Sequence, residues 1–164
     1  MTQMPAAHIP SPEEQRLEAL RALQLLDTAP EERFDRITRL AARVLNVPSV
    51  VLALVDKDRL FFKSRHGCES TQIDRPDSFC DYTIRENKQL IVPDAKLDPR
   101  FKDHPAVTGK PFFRFYVGNP IAAVDGNIVG TLCALDQQPR MPSEEDLAVL
   151  RDLAAMAQIE LNHG

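Results

Sequence analysis

The sequence predicts an α+β domain: a five- or six-stranded, mostly antiparallel sheet, terminal helices on one face, short helices and a lid loop on the other. Three observations carry this. The elements run helix, helix, strand pair, covering helix and loop, strand, lid, central hairpin, closing helix. The stretch Phe113 to Asp136, FRFYVGNPIAAVDGNIVGTLCALD, reads as two strands, Phe113–Ala122 and Asn127–Leu135, joined at Asp125-Gly126. Both arms are apolar on both faces, which places them at the centre of a covered sheet.

The chain in order supports that plan. Residues 1–10 read as a flexible leader, and 11–164 as a single domain. Ser11-Pro12-Glu13-Glu14 opens the first helix as a capping box, with Pro at the first helical position. Its apolar positions are Leu17, Leu20, Leu23 and Leu26, and Asp27-Thr28-Ala29-Pro30 stops it. The second helix spans about Glu31 to Leu45, with Phe34, Ile37, Ala41 and Val44 on one stripe. Ser49–Val55 is a continuous apolar strand, and Leu60–Arg65 pairs with it across Asp56–Arg59. His66 to Pro76 reads as loop. Ser78–Ile84 reads as a short helix capped by Asp77 or Ser78, and Gln89–Val92 as a brief strand.

A long connection follows from Asp94 to Pro111, with at most one short helix around Pro99–Lys102. Connections of this length in a compact domain are usually lids or mobile segments. In the hairpin, Asp-Gly calls for a type I′ turn, and Pro120 for a bulge or strand end. The closing helix starts at Ser143, with Asp146 at the capping-box position, and runs to about Asn162. Leu147, Leu150, Ala154, Ala157 and Leu161 form one stripe, and Val149, Leu153 and Met156 a second. Two stripes predict that this helix meets another helix besides the sheet, either the first helix or a partner chain.

Composition narrows the class. A net charge of −4 with no Lys/Arg run argues against nucleic-acid or anionic-membrane surfaces. The longest apolar run, Val50–Val55, cannot span a bilayer, and the N-terminus lacks the pattern of a signal peptide. Cys68, Cys80 and Cys133 show no CxxC spacing, which points to a reducing, cytoplasmic setting rather than a disulfide framework or zinc site. The four histidines, at 8, 66, 104 and 163, have no ligand-like spacing and read as solvated; no metal site is expected.

Several dispersed blocks in order resemble the GAF domain, a small-molecule-sensing and dimerising module of signalling proteins. These are Leu25–Asp35 (LLDTAPEERFD), Phe61–Ser64 (FFKS), Ser78–Cys80 (SFC), Val92–Ala95 (VPDA), Asp98–Phe101 (DPRF), Phe113–Tyr116 (FRFY) and Gly130–Asp136 (GTLCALD). The resemblance covers about Glu14 to Leu161. It is to the subgroup found at the N-terminus of bacterial sensor kinases and diguanylate cyclases. It implies a GAF-like fold, a ligand between sheet and lid, and a kinase or diguanylate cyclase output domain in cis or trans. It leaves the ligand and any cofactor unknown, because GAF domains bind unrelated molecules on one scaffold.

The candidate ligand-binding residues are Phe79, Cys80, Tyr82, Asp94, Arg100, Phe101, Arg114 and Tyr116. Arg114 lies between Phe113 and Phe115, where a buried guanidinium must be paired or face a cavity. It either pairs with Asp94 or Asp98 and pins the lid, or grips an anionic ligand together with Arg100. Tyr116 would share the face of Arg114 and add a hydroxyl, while Phe79, Tyr82 and Phe101 would supply apolar walls or plain core. Cys80, near a helix N-terminus, is a candidate low-pKa thiol; Cys133 reads as a small buried hydrophobe.

Some GAF domains reduce free methionine sulfoxide with pocket cysteines, but the cysteine-bearing motifs here match the sensory subgroup. The Asn-Lys-Phe-Asp-Glu signature of cyclic-nucleotide sites is absent, with only Asn87-Lys88-Gln89 as a partial echo. Cys80 is followed by Asp81, not by the His expected for a covalently bound bilin. The expectation is therefore a non-catalytic sensory domain without catalytic residues, which binds an unidentified small molecule and signals through its terminal helices as a parallel homodimer. The alternatives are a thiol-dependent methionine sulfoxide reductase and a ligand-free dimerisation module. The chain ends just past the closing helix, and both a complete protein and a fragment remain open.

Overall fold

The computed structural model describes residues 8–163. Its elements are α1 (Pro12–Ala22), α2 (Glu32–Leu45), β1 (Ser49–Val55), β2 (Arg59–His66), β3 (Gln72–Asp74), α3 (Phe79–Glu86) and β4 (Leu90–Val92). A 3-10 turn (Ala95–Leu97), α4 (Pro105–Thr108), β5 (Phe115–Ala122), β6 (Ile128–Asp136) and α5 (Glu144–Leu161) complete them. The six strands form one sheet in the order β3-β2-β1-β6-β5-β4, and every neighbouring pair is antiparallel.

The sheet separates two cores, and strand alternation assigns each residue to one of them. Val50, Leu52 and Leu54 of β1, Phe115 and Val117 of β5, and Leu132 and Ala134 of β6 face α1, α2 and α5. Val51, Ala53 and Val55, Tyr116, Cys133 and Leu135 face α3 and the lid. Because both faces are covered, β1 and β6 read as unbroken apolar runs. The α+β plan expected from the sequence, an antiparallel sheet with the terminal helices on one face and the short helix and lid on the other, is thus the observed one.

Helix ends follow local chemistry. Ser11, Ser78 and Ser143 each accept a hydrogen bond from the backbone N–H three residues on, and Asp146 returns the bond to Ser143. At α1 only half of the expected box forms. The Glu14 carboxylate instead pairs with His8 at 2.7 Å. The N-terminal part of the predicted leader, residues 1–7, lies outside the described residues.

Several expectations change. α1 ends at Ala22, short of Leu26, because the backbone turns left-handed at Gln24 and again at Asp27. Val44 does not join the buried stripe of α2; it is exposed beside Leu40, while Thr38 and Ala42 are buried instead. The 66–76 loop contains β3, a three-residue edge strand on β2. The lid has no helix at Pro99–Lys102; its helical turns fall at 95–97 and 105–108. Ala95, Phe101 and Val107 are fully buried, so the lid is anchored by three apolar plugs.

The hairpin turn is not type I′. Gly126 N–H donates to Ala123 carbonyl oxygen at 2.9 Å, and Gly126 alone in the loop has positive φ, at 89°. This is the three-residue loop that ends in a left-handed glycine. Pro120 lies past the end of the short β4, and the register shift follows at Ile121/Ala122. The second stripe of α5 is also reassigned. Leu153 is only 5% exposed and belongs to the helix-side core, where α5 packs beside α2 rather than α1.

Candidate functional site

The sheet–lid layer encloses two connected spaces. An inner pocket of about 100 Å³ lies against the sheet, walled by Val51, Leu60, Phe62, Phe79, Cys80, Phe113, Tyr116, Cys133 and Leu135. An outer cleft of about 740 Å³ is rimmed by Asp58, Asp74, Asp77, Asp103, Arg100 and Lys110. Both are lined by Ser70, Ile73, His104, Ala106 and Pro111. These five residues form the mouth between an apolar interior and a charged vestibule.

The back wall is an aromatic stack set by α3. Ser78 caps that helix and fixes Phe79 and Cys80 in its first turn. The Phe79 ring stacks on Tyr116 (centroids 4.8 Å apart, 11° between planes) and tilts against Phe101 at 4.5 Å. Tyr82 meets Phe101 edge-on at 5.0 Å. Thr83 spends its one hydroxyl proton on the Phe79 carbonyl at 2.9 Å, so Tyr116 Oη donates to Thr83 Oγ1 at 2.7 Å. Burial keeps the Tyr116 phenol protonated by raising its pKa well above the usual value.

All three cysteines line the inner pocket, and all are free. Cys80 Sγ lies 4.0 Å from Cys133 Sγ and accepts a hydrogen bond from Thr131 Oγ1 at 3.1 Å. The Cys133 contact, followed by the hydrogen bond from Thr131, lowers the Cys80 pKa against the opposing effect of burial. Burial pushes the Cys133 thiol well up, and the Cys68 thiol up too.

His104 departs from the solvated reading. It caps α4 by accepting from Ala106 N–H at 3.1 Å, packs 6.2 Å from the Phe79 ring and lines both spaces. Its pKa is lowered by burial, partly countered by Asp77. Among the described residues, no group of three or more His, Cys, Asp or Glu is placed to hold a metal ion.

The two arginines of the sequence reading are engaged at the surface. Arg114 precedes β5, its side chain is 28% exposed, and it makes a bidentate pair with Asp94 at 2.6 and 2.7 Å. That pair ties the start of the lid to the entry of β5, and Arg114 depresses the Asp94 pKa. The buried position expected for Arg114 is not found, because the strand begins one residue later. Two residues on, Tyr116 is fully buried in the sheet–lid core. Arg100 pairs with Asp98 at 2.8 Å and faces the outer cleft.

Arg75 was not singled out from the sequence. It bonds Glu13 of α1 at 2.7 Å, Asp81 of α3 at 2.9 Å and the Asp56 carbonyl at 2.9 Å. It thus links the N-terminal helix to the pocket-bearing helix, beside Pro76 and Asp77 of the cleft. Burial works to raise the Glu13 pKa, but bonds from Arg16 and Arg75 more than offset it and bring it to about 2.

Of the eight predicted residues, Phe79, Cys80 and Tyr116 meet in the inner pocket and Arg100 on the outer rim. Tyr82 and Phe101 back the wall, and Asp94 and Arg114 form the separate clamp. The reading missed Phe62, Phe113 and His104. Phe62 and Phe113 sit in apolar runs that any covered sheet would show, so alternation was their only signal. A separate groove of about 230 Å³ lies on the helix side, where its Arg140 is paired with Asp136 at 2.5 Å.

Comparison with known proteins bears on the family and the fold. The GAF domain family profile matches residues 29–161. A cyclic di-GMP phosphodiesterase of Pseudomonas aeruginosa is 36% identical over 154 residues, which cover 93% of this chain and 26% of that protein. The chain thus spans about a quarter of the length of this relative. The GAF domain of an Acinetobacter phosphoenolpyruvate-protein phosphotransferase superposes with a TM-score of 0.66 at 16% identity, covering 91% of this chain and 94% of that one. The free methionine-R-sulfoxide reductase of Neisseria meningitidis, in complex with its substrate, superposes at 0.63 with 18% identity, covering 96% of each chain. At such identities these two likenesses concern the fold alone.

Proposed function

The chain belongs to the GAF domain family, and from that premise we propose that it is a regulatory sensor domain without catalysis of its own. A small molecule binds between sheet and lid, with an apolar or aromatic part in the inner pocket and a polar part in the vestibule. The observation that supports this is the pairing of the two spaces: an apolar interior of about 100 Å³ behind a charged cleft of about 740 Å³. The same pairing favours this reading over a ligand-free dimerisation unit.

Signalling runs to the terminal helices. Arg75 supports such a route, because one guanidinium joins the cleft edge and α3 to Glu13 of α1. Ligand energy acts only through unequal affinity for two states, and a bond spanning the two helices is where inequality can be read. The output lies in an attached or partnering domain, a kinase or an enzyme of cyclic di-GMP turnover. The relative of which the matched region is 26% supports that arrangement. The chain acts in the cytoplasm; among the described residues no helix is long and apolar enough to cross a membrane.

The domain works as a parallel homodimer. Leu40 and Val44 of α2 and Met156 and Ile159 of α5 are exposed apolar side chains on neighbouring helices, and a twofold partner buries them.

Native mass spectrometry of freshly purified protein, followed by thermal shift across a metabolite panel, tests the pocket. A ligand that binds only the folded state at a hundredfold excess over Kd adds about 2.7 kcal/mol. The shift is expected to vanish in Ala106→Trp, which fills the mouth. No retained molecule and no shift with any metabolite would refute the sensor reading.

A further inference from the structure

We infer that Cys80 and Cys133 are a peroxide-reactive thiol pair: a small hydroperoxide that enters the inner pocket oxidises Cys80, and Cys133 resolves the product to a buried disulfide. This goes beyond the sensor reading, since the chemistry needs only a hydroperoxide in an otherwise unoccupied inner pocket and does not depend on the proposed ligand.

Four observations converge. The two sulfurs lie 4.0 Å apart although their residues are 53 positions apart in the chain, on the first turn of α3 and in the middle of β6. Both line the same pocket. Thr131 donates a hydrogen bond to Cys80 Sγ at 3.1 Å, which favours the nucleophilic sulfur at that position. Asp81, whose negative charge would oppose a thiolate next to it, is neutralised by Arg75 and Arg85, each at 2.9 Å.

The chemistry balances with a hydroperoxide as the only oxidant. Cys80 sulfur attacks the terminal oxygen of R–O–O–H. An S–O bond forms, the O–O bond breaks, and the leaving alkoxide takes the thiol proton to become R–OH. Cys133 sulfur then attacks the Cys80 sulfenic acid; the S–S bond forms, and the hydroxide leaves as water with the Cys133 proton. Two thiols lose two electrons, and one peroxide is reduced to alcohol and water. The second step needs the sulfurs in contact, and only Cys133 offers that. Cys68 lines the same pocket, but its thiol is directed to the Ser70 carbonyl of its own loop at 3.7 Å.

A disulfide requires the sulfurs to close from 4.0 Å to about 2 Å. The first turn of α3 must therefore approach β6. That turn carries Phe79 as well as Cys80, so oxidation also reshapes the back wall of the pocket.

The test uses the full chain, reduced and desalted, exposed to tert-butyl hydroperoxide in one arm and hydrogen peroxide in another. Peptide mapping without reductant should find a Cys80–Cys133 linkage, reversed by dithiothreitol, with Cys68 still free to label. Cys133→Ser should instead hold a sulfenic acid on Cys80 that dimedone traps, and Cys80→Ser should form no linkage. The wild-type map does not depend on either variant folding. The inference is overturned if Cys68 is oxidised first, or if no linkage forms while the near-ultraviolet circular dichroism stays native. It is equally overturned if the native spectrum is lost before the linkage appears.

Discussion

Replacing Gly118 with alanine tests the packing that holds the pocket wall. Tyr116 and Gly118 lie on the same face of β5, and the tyrosine ring lies over the glycine. A Cβ at position 118 would fall 2.0 Å from Tyr116 Oη and 2.6 Å from Cζ. Ordinary carbon contacts begin near 3.5 Å, so the ring must move by more than an ångström. Such a shift disrupts its packing, since the ring is fully buried, stacked on Phe79 at 4.8 Å and bonded to Thr83 at 2.7 Å. Losing that hydrogen bond costs about 1 kcal/mol, and overpacking adds about 1–3 kcal/mol. Gly118→Ala should therefore destabilise by about 2–4 kcal/mol, read as a lower urea midpoint at unchanged m. In a Tyr116→Leu background the obstruction is gone. There the same change should be neutral, or stabilising by up to about 1 kcal/mol, because alanine loses less entropy than glycine in a strand. The two backgrounds should differ by more than about 1.5 kcal/mol. Equal costs in both would refute the account of Tyr116 as held by a missing Cβ.

Two further outcomes follow from the helices. Glu13 has a folded-state pKa of about 2 against an ordinary 4.5. Its pairing with Arg16 and Arg75 therefore stabilises fully above pH 4.5, and that contribution is lost as pH falls from 4.5 through 2. The stability gap between wild type and Glu13→Gln, from urea midpoints at several pH values, should narrow over that window; a constant gap would remove the tie between α1 and α3. For the dimer, Leu153 and Ile159 separate fold from assembly. Leu153→Glu puts a charge at a position 5% exposed and should unfold or strongly destabilise the chain, by upwards of about 3 kcal/mol. Ile159→Glu, at 68% exposed, should leave a folded chain that light scattering finds as a monomer. A wild type that is itself monomeric at high micromolar concentration would end the homodimer reading.

What the sequence determined by itself is what short-range chemistry controls. Ser78 and Ser143 cap their helices because a hydroxyl reaches a backbone N–H three residues away, whatever lies beyond. The apolar hairpin arms pointed to the middle of a sheet covered on both faces; β6 lies there beside β1, while β5 lies one strand further out. The dispersed motifs, ordered along the chain, pointed to the family. Tertiary structure alone decided the pocket. Its wall draws on residues from Val51 to Leu135, and nothing local says that Phe62 and Phe113 face the cavity while their strand neighbours do not. The same holds for charge. Arg114 and Arg75 are each one guanidinium among many, and their roles come from Asp94, 20 positions away, and Glu13, 62 positions away. It holds for the second stripe of α5 too, which the packing of α2 against α5 splits, burying Leu153 and leaving Met156 exposed. Side-chain spacing along a helix or strand fixes which residues share a face. What that face meets is set by contacts between segments far apart in the chain, and the pocket consists of such contacts.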